Sequence, residues 1–239
     1  GSPAGGIYSG PGVSSGMFIP AIAGAGLKTL TYTYTDLLGC TNSATQTIMV
    51  NPLPVVSFSG LAATYCVNNA PVILTGSPSG GTFSGSGISG NIFDPALAGA
   101  GIHIITYTYT DGNGCTNAST QNVTVYELPV ISIINLPTTI CITDLPVNII
   151  GSAAPGGSFS GPGITNLGSG VALFNPIPAG LGTKTITYTY TDVNGCTNSV
   201  SQNITVHPAP NVTFSGLALS YCGNAAPVTL TGNQAPFGT

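Results

Sequence analysis

Charge is nearly absent from this sequence. Of its 239 residues, 3% are Asp, Glu, Lys or Arg, against about a quarter in ordinary globular domains. The basic residues are Lys28 and Lys184, with no arginine; the acidic ones are Asp36, Asp94, Asp111, Glu127, Asp144 and Asp192. Without cations there is no surface to neutralise phosphates, which argues against nucleic-acid partners and against anionic membranes. No apolar run approaches the roughly 18–20 residues of a membrane span. No basic stretch followed by an apolar one marks a signal peptide, and the opening GSPAGG reads as the start of a mature or clipped product. Histidine is scarce too, at His103 and His207. No recurring acid pair and no Ser/His/Asp set can be assembled, so a non-enzymatic protein is expected. No CxxC pair or Cys/His cluster suggests zinc.

What is present is apolar and repetitive. The chain is 42% hydrophobic, with Gly 34 and Pro 19. A neutral surface of Thr, Ser, Asn and Gly gives up charge-based solubility. It suits a molecule whose faces are covered by identical neighbours, or one coated with glycan. Four Asn-x-Ser/Thr sequons, at Asn117, Asn122, Asn203 and Asn211, are ordinary occurrences in a chain so rich in Asn and Thr.

The phrase GSPAGGIYSGPG at Gly1 returns as GSPSGGTFSGSG at Gly76 and GSAAPGGSFSGPG at Gly151; GNQAPFGT at Gly232 begins it again. The repeats are therefore 75, 75 and 81 residues long. The extra residues of the third fall mainly in ITNLGSGVALF (Ile164–Phe174), read as a loop insertion. Within the second copy, runs rich in Thr, Val, Ile, Tyr and Phe read as strands over Val55–Gly60, Pro71–Thr75, Thr82–Gly85, Asn91–Phe93, Ile102–Thr110 and Thr116–Tyr126, with no helical periodicity. Short strands at this spacing predict an all-β fold of tandem β-sandwich domains. Pro-rich linkers at Asn51–Pro54, Tyr126–Pro129 and His207–Pro210 set the expected organisation: 1–51 the back part of a domain, 52–126 and 127–207 whole domains, and 208–239 the front strands of another.

TYTYTD recurs at Thr31, Thr106 and Thr187. On a strand, alternate residues face opposite sides. Tyr32, Tyr34, Tyr107, Tyr109, Tyr188 and Tyr190 are thus assigned to the core and the threonines to the outer face, in preference to an aromatic binding platform. DGNG (Asp111–Gly114) and DVNG (Asp192–Gly195) are hairpin turns. Calcium at Asp111 and Asp192 is the rival reading, weakened because the first copy reads DLLG. FSGPG-type phrases lack the Lys-Ser/Thr and helix of a phosphate loop. No cofactor is expected.

Six cysteines, Cys40, Cys66, Cys115, Cys141, Cys196 and Cys222, recur at matching places and predict disulfides in an oxidising compartment. One scheme closes each domain, Cys66–Cys115 and Cys141–Cys196, leaving Cys40–Cys222 to join successive subunits. The other pairs neighbours across linkers, Cys40–Cys66, Cys115–Cys141 and Cys196–Cys222. The first is preferred, as the commoner use in small secreted modules.

The composite phrase YCxNxAPVxLTGxPxGGxFSGxGxxxxxFxPxxAGxGxxxITYTYTDxNGCTNxxxQxxxV, carried most fully by Tyr65–Val125, resembles the tandem Ig-like/PKD-like repeats of large secreted surface proteins in Bacteroidetes-type bacteria. That resemblance implies an extracellular array acting as a fibre component or adhesin, often exported by a type IX pathway, and names no ligand. Two strands are missing at the front of the chain and two, Val212–Gly216 and Pro227–Thr231, are unpaired at its back. Either the sequence is a window on a longer array, or Val212, Phe214, Val228 and Leu230 complete the first domain of another subunit. Both lead to a structural filament or surface rod whose main partner is itself. The alternative is an adhesin that binds a glycan or host ligand through Ile164–Phe174.

Overall fold

The computed structural model describes residues 1–153 and 155–233. Ala154 and residues 234–239, which carry part of the third and most of the fourth opening phrase, lie outside the described residues. The chain divides into two compact units, Gly1–Glu127 and Leu128–Thr239.

In the first unit, the second sequence copy closes into a sandwich. One sheet runs in the order Thr82–Ser84, Gly101–Thr110, Thr116–Tyr126, Thr64–Cys66. Facing it are Ile88–Ser89, Ile92–Phe93 and Val72–Ile73, with Ser57–Ser59 paired to Thr75–Ser77. The long antiparallel hairpin, in register from Gly101↔Val125 to Thr110↔Thr116, is its backbone. Thr64–Cys66 lies parallel to the end of that hairpin, Cys66 opposite Tyr126. Alternation along the hairpin sends Ile105, Tyr107, Val123 and Val125 inward onto Phe58, Leu74 and Phe93. Burying each such side chain contributes about 1.5–3 kcal/mol.

The second unit repeats this plan. Ser158–Ser160, Gly182–Thr191, Thr197–His207 and Thr139–Cys141 form one sheet, and Ile133–Ile134, Val147–Gly151, Val171–Phe174 and Ile164–Gly168 the other. Its core gathers Ile149, Phe159, Phe174, Ile186, Tyr188, Ile204 and Val206. On the outer face, hydroxyls pair across the hairpin: Thr187 with Ser201 at 2.8 Å, Thr191 with Thr197 at 2.7 Å, and Thr185 donating to Asn203 Oδ1 at 2.9 Å. Such cross-strand pairs explain the threonine rows.

Two features differ from the sequence reading. The FxPxxAG phrase forms a single helical turn in each copy, at Pro20–Ala23, Pro95–Ala98 and Pro176–Ala179. Proline sits at the first turn, where its missing N–H costs nothing; Asp94 Oδ1 accepts the Ala96 N–H at 2.9 Å and Asn175 Oδ1 that of Ile177 at 3.1 Å. One turn is too short to produce a helical period. The Ile164–Phe174 insertion is a hairpin rather than a loop. It turns at Ser169 (φ 52°) and Gly170 (φ 71°), the two positive-φ positions of a type I′ turn. The Asn166 side chain clamps it to the core sheet, donating to the Phe159 carbonyl at 2.7 Å and accepting the Phe159 N–H at 2.8 Å.

Candidate assembly site

The tyrosines of TYTYTD are structural in the closed sandwiches. Tyr107 and Tyr188 are fully buried, and Tyr109 and Tyr190 pack partly buried against the same cores. Tyr107 Oη accepts the Gly81 N–H at 2.8 Å and donates to the Pro78 carbonyl at 2.6 Å; Tyr188 Oη donates to Gly156 O at 2.6 Å. The hydroxyl thus holds the loop that the GSPxGG phrase encodes. A Cβ on Gly76 or Gly151 would overlap the Tyr107 or Tyr188 ring, so the tyrosine and the distant glycine form one motif. Burial, then the neighbouring Tyr190, raises the Tyr188 phenol above its ordinary value of 10.0, and a hydrogen bond with Ala153 backbone partly offsets this.

The phrases that resembled ligand loops are also absorbed locally. Asp111 Oδ1 accepts the backbone N–H groups of Asn113 and Cys115, each at 2.9 Å, and Asp192 does the same for Asn194 and Cys196. In the first copy Asp36 makes the equivalent bonds to Leu38 and Cys40. This needs only the first Asp, which is why DLLG works as well as DGNG. Among the described residues no cluster of three His, Cys, Asp or Glu is placed to hold a metal. In FSGxG, a Cβ on Gly87 would collide with Asp94 O and Ala98 Cβ, so this glycine admits the helical turn.

The first sequence copy lacks part of its covering layer. Residues 1–51 form Ile7–Ser9, Gly26–Thr35 and Thr41–Val50 in one sheet and keep the Val13–Ser14/Met17–Phe18 pair, the counterpart of Ile88–Ser89/Ile92–Phe93, but among the described residues no counterpart of Ser57–Ile73 packs on them. The inward positions are consequently more exposed: Ile48 is 41% exposed where its equivalent Val123 is 0%. Tyr8 and Tyr32 still stack at 4.7 Å, as Phe83 and Tyr107 do at 4.6 Å, but the Phe58 ring that meets Phe83 edge-on at 5.4 Å has no equivalent there. Tyr32 and Tyr34 are half-buried. A cleft of about 540 Å³ lined by Tyr8, Leu30, Tyr32, Gln46 and Ile48 marks the place. A second cleft of about 580 Å³ runs along Ile48–Leu53 and reaches Cys115.

The missing layer has its sequence match at the far end of the chain. NVTFSGLALSYC (Asn211–Cys222) repeats VVSFSGLAATYC (Val55–Cys66), and PVTLTG repeats PVILTG. Paired strand there is shorter than the two runs read from sequence, covering Phe214–Ser215 and Thr231–Gly232. Its register, Phe214↔Gly232 and Ser215↔Thr231, is that of Phe58↔Gly76 and Ser59↔Thr75 in the closed sandwich. Yet Phe214 is 66% and Leu230 56% exposed, where Phe58 and Leu74 are 7% and 1%; Val212 and Val228 are exposed as well. One end carries an uncovered sheet and the other carries an uncovered hairpin of the right shape.

The cysteines depart from both pairing schemes. Cys66 and Cys196 are disulfide-bonded, whereas Cys40, Cys115, Cys141 and Cys222 are free thiols. Domain-closing bridges are ruled out by the register. Cys66 lies opposite Tyr126, ten residues along the strand that starts just after Cys115, and so about 33 Å away at ~3.3 Å per residue. Cys141, opposite His207, is equally far from Cys196. A disulfide needs Cα atoms within roughly 7 Å. None of the three cross-linker pairs is formed either, since each contains a free thiol.

No family model and no characterised protein matches the sequence. Among solved structures, the fold is similar to a Ca2+-stabilized adhesin with which an Antarctic bacterium binds ice (14% identity, 86% of this chain and 63% of that one, TM-score 0.36). It is also similar to part of a 1.5-MDa bacterial ice-binding adhesin (14%, 79% and 76%, TM-score 0.34) and to a mixed-linkage glucan binding protein of Bacteroides ovatus, SGBP-B (18%, 85% and 61%, TM-score 0.22). The chain spans about three fifths of the first and third of these. No helix among the described residues is long and apolar enough to cross a membrane. By its sheets, their order and their cores, the chain is an all-β protein of tandem β-sandwich domains.

Proposed function

We propose that this chain is a non-enzymatic structural protein of an extracellular rod or filament on a bacterial surface, built from serial Ig-like domains. The open half-domain of residues 1–51 is completed by the Val212–Thr231 hairpin of a second copy, head to tail. Such a contact is heterologous and does not close on itself, so it propagates into a fibre. The observation that carries the reading is the match between the exposed hairpin, already in the register of a closed sandwich, and the exposed sheet.

The closed sandwiches supply the contacts expected at the joint. Gln121 Nε2 donates to Phe58 O at 2.8 Å and Gln202 Nε2 to Leu136 O at 3.0 Å; Gln46 would reach Phe214 O in the same way. Asn117 and Asn198 donate to Pro54 O and Pro129 O, both at 2.9 Å, placing Asn42 on Pro210 O. Ser220–Cys222 would run parallel to Met49–Asn51.

Phe214→Asp with Leu230→Asp tests this. Both side chains are exposed in the single chain, so folding is preserved. Filaments seen by electron microscopy for the parent chain are expected to vanish, leaving monomers; filaments from the double variant would refute the proposal. A second reading, adhesion through the Ile164–Phe174 hairpin, is favoured by the exposure of Leu167 beside its turn. Glycan-array binding abolished by deleting that hairpin would support it.

A further inference from the structure

The six cysteines fall into two kinds by position. Cys66 and Cys141 end the short strand at one pole of a sandwich, Cys66 opposite Tyr126 and Cys141 opposite His207; Cys222 occupies the same place in the repeated phrase. Cys40, Cys115 and Cys196 sit in the hairpin turn at the other pole, where Asp36, Asp111 and Asp192 hold their N–H groups. The turn pole is also where the linker enters, since Asn117, two residues after Cys115, holds Pro54 O. Of the two disulfide-bonded cysteines, Cys66 is of the strand-end kind and Cys196 of the turn kind.

Within the first unit, the junction between consecutive copies is visible. The cleft along Ile48–Leu53 is lined by Met49, Val50 and Asn51 on one side and by Cys115 on the other. Met49–Asn51 corresponds to Thr124–Tyr126, the partner of the Thr64–Cys66 strand. A donated hairpin laid in that register puts Cys222 opposite Asn51, in the cleft that Cys115 lines. At the entrance of the same composite domain, His207–Pro210 corresponds to Asn51–Pro54 and Cys40 to Cys115, so Cys40 of the incoming copy meets Cys141 beside His207.

We infer that two disulfides lock each junction between copies: Cys222 of one to Cys115 of the next, and Cys141 of the first to Cys40 of the next. This rests on the strand-completion reading above. It replaces the Cys40–Cys222 bridge expected from sequence, because those two residues stand at opposite poles of the composite domain, as Cys66 and Cys115 do in the closed one. Chemically, one cysteine thiolate attacks a disulfide-bearing oxidant, such as a small-molecule disulfide or an oxidoreductase in its disulfide form, forming a mixed disulfide and releasing one oxidant thiolate. The partner cysteine thiolate then attacks the protein sulfur of that mixed disulfide, forming the bridge and expelling the second oxidant thiolate. The protein loses two hydrogens per bridge and the oxidant leaves as two thiols.

The 239-residue chain, assembled with oxidised glutathione, is digested unreduced with chymotrypsin and thermolysin and examined by mass spectrometry. Linked peptides Cys222–Cys115 and Cys141–Cys40 are expected, and denaturing gels without reductant should show a ladder that collapses to monomer with reductant. The ladder should survive Cys40→Ser with Cys141→Ser, which leaves one bridge, and disappear in Cys115→Ser with Cys141→Ser, which leaves none, while filaments persist in both. A Cys40–Cys222 bridge would give the reverse pattern and overturn the inference. So would filaments in which four thiols per chain remain titratable, with strand completion left standing. Absence of filaments in every sample would overturn both.

Discussion

At the scale of single residues, the fold depends on pairs that are distant in sequence and repeated in each copy. The Tyr107 hydroxyl spans Gly81 N and Pro78 O while its ring occupies the space a Gly76 side chain would need. Gly76→Ala or Gly151→Ala overpacks this contact and should cost about 1–3 kcal/mol, read as a lower midpoint in denaturant with an unchanged slope. Tyr188 adds a pH dependence. Its phenol is raised above 10.0, mainly by burial, so the folded state favours the neutral form. That contribution is complete below pH 10 and is lost as pH rises through the higher folded value, because the unfolded chain gives up its proton first. Thermal melts should therefore weaken above pH 10, and Tyr188→Phe should flatten that slope while lowering stability near neutrality. An unaltered alkaline slope in the variant would contradict the assignment.

At the scale of elements, the long hairpins were the most legible part of the sequence. Alternation over Ile105–Thr110 has one physical solution, and the structure places Ile105 and Tyr107 inside with the threonines outside. The single helical turns were hidden because four residues cannot show a 3.6-residue period; the only available signal was Asp-Pro or Asn-Pro ahead and Gly behind. The insertion hairpin was hidden because its Ser-Gly turn is a weak signal and its anchor, Asn166, acts through the backbone of Phe159 seven residues away. Cysteine pairing was hidden for another reason: spacing records how far apart two cysteines are along the chain, and only the register reveals that a strand-end and a turn cysteine stand at opposite poles. The turns themselves invite a test. Asp111→Ala removes the acceptor for two N–H groups and should cost about 1–2 kcal/mol, with no response to calcium chelation in the parent chain; a melting shift on chelation would reopen the metal reading at Asp111 and Asp192.

At the scale of the whole molecule, neutrality and length belong together. A chain with 3% charged residues offers little for salt to screen, so assembly driven by Phe214, Leu230, Ile48 and Tyr8 should change less than about twofold between low and high ionic strength. Burial of Phe214 and Leu230 alone would contribute roughly 1.5–3 kcal/mol each. In the proposed assembly, a joint that rebuilds a complete sandwich, with Pro-rich linkers on either side, would limit bending. The most direct test is cryo-electron microscopy of the assembled chain at a resolution that traces strands. The expected map shows a continuous row of closed sandwiches in which Ser220–Cys222 of one copy runs parallel to Met49–Asn51 of the next. Isolated chains, with that edge still open at concentrations where the protein is otherwise folded, would contradict it.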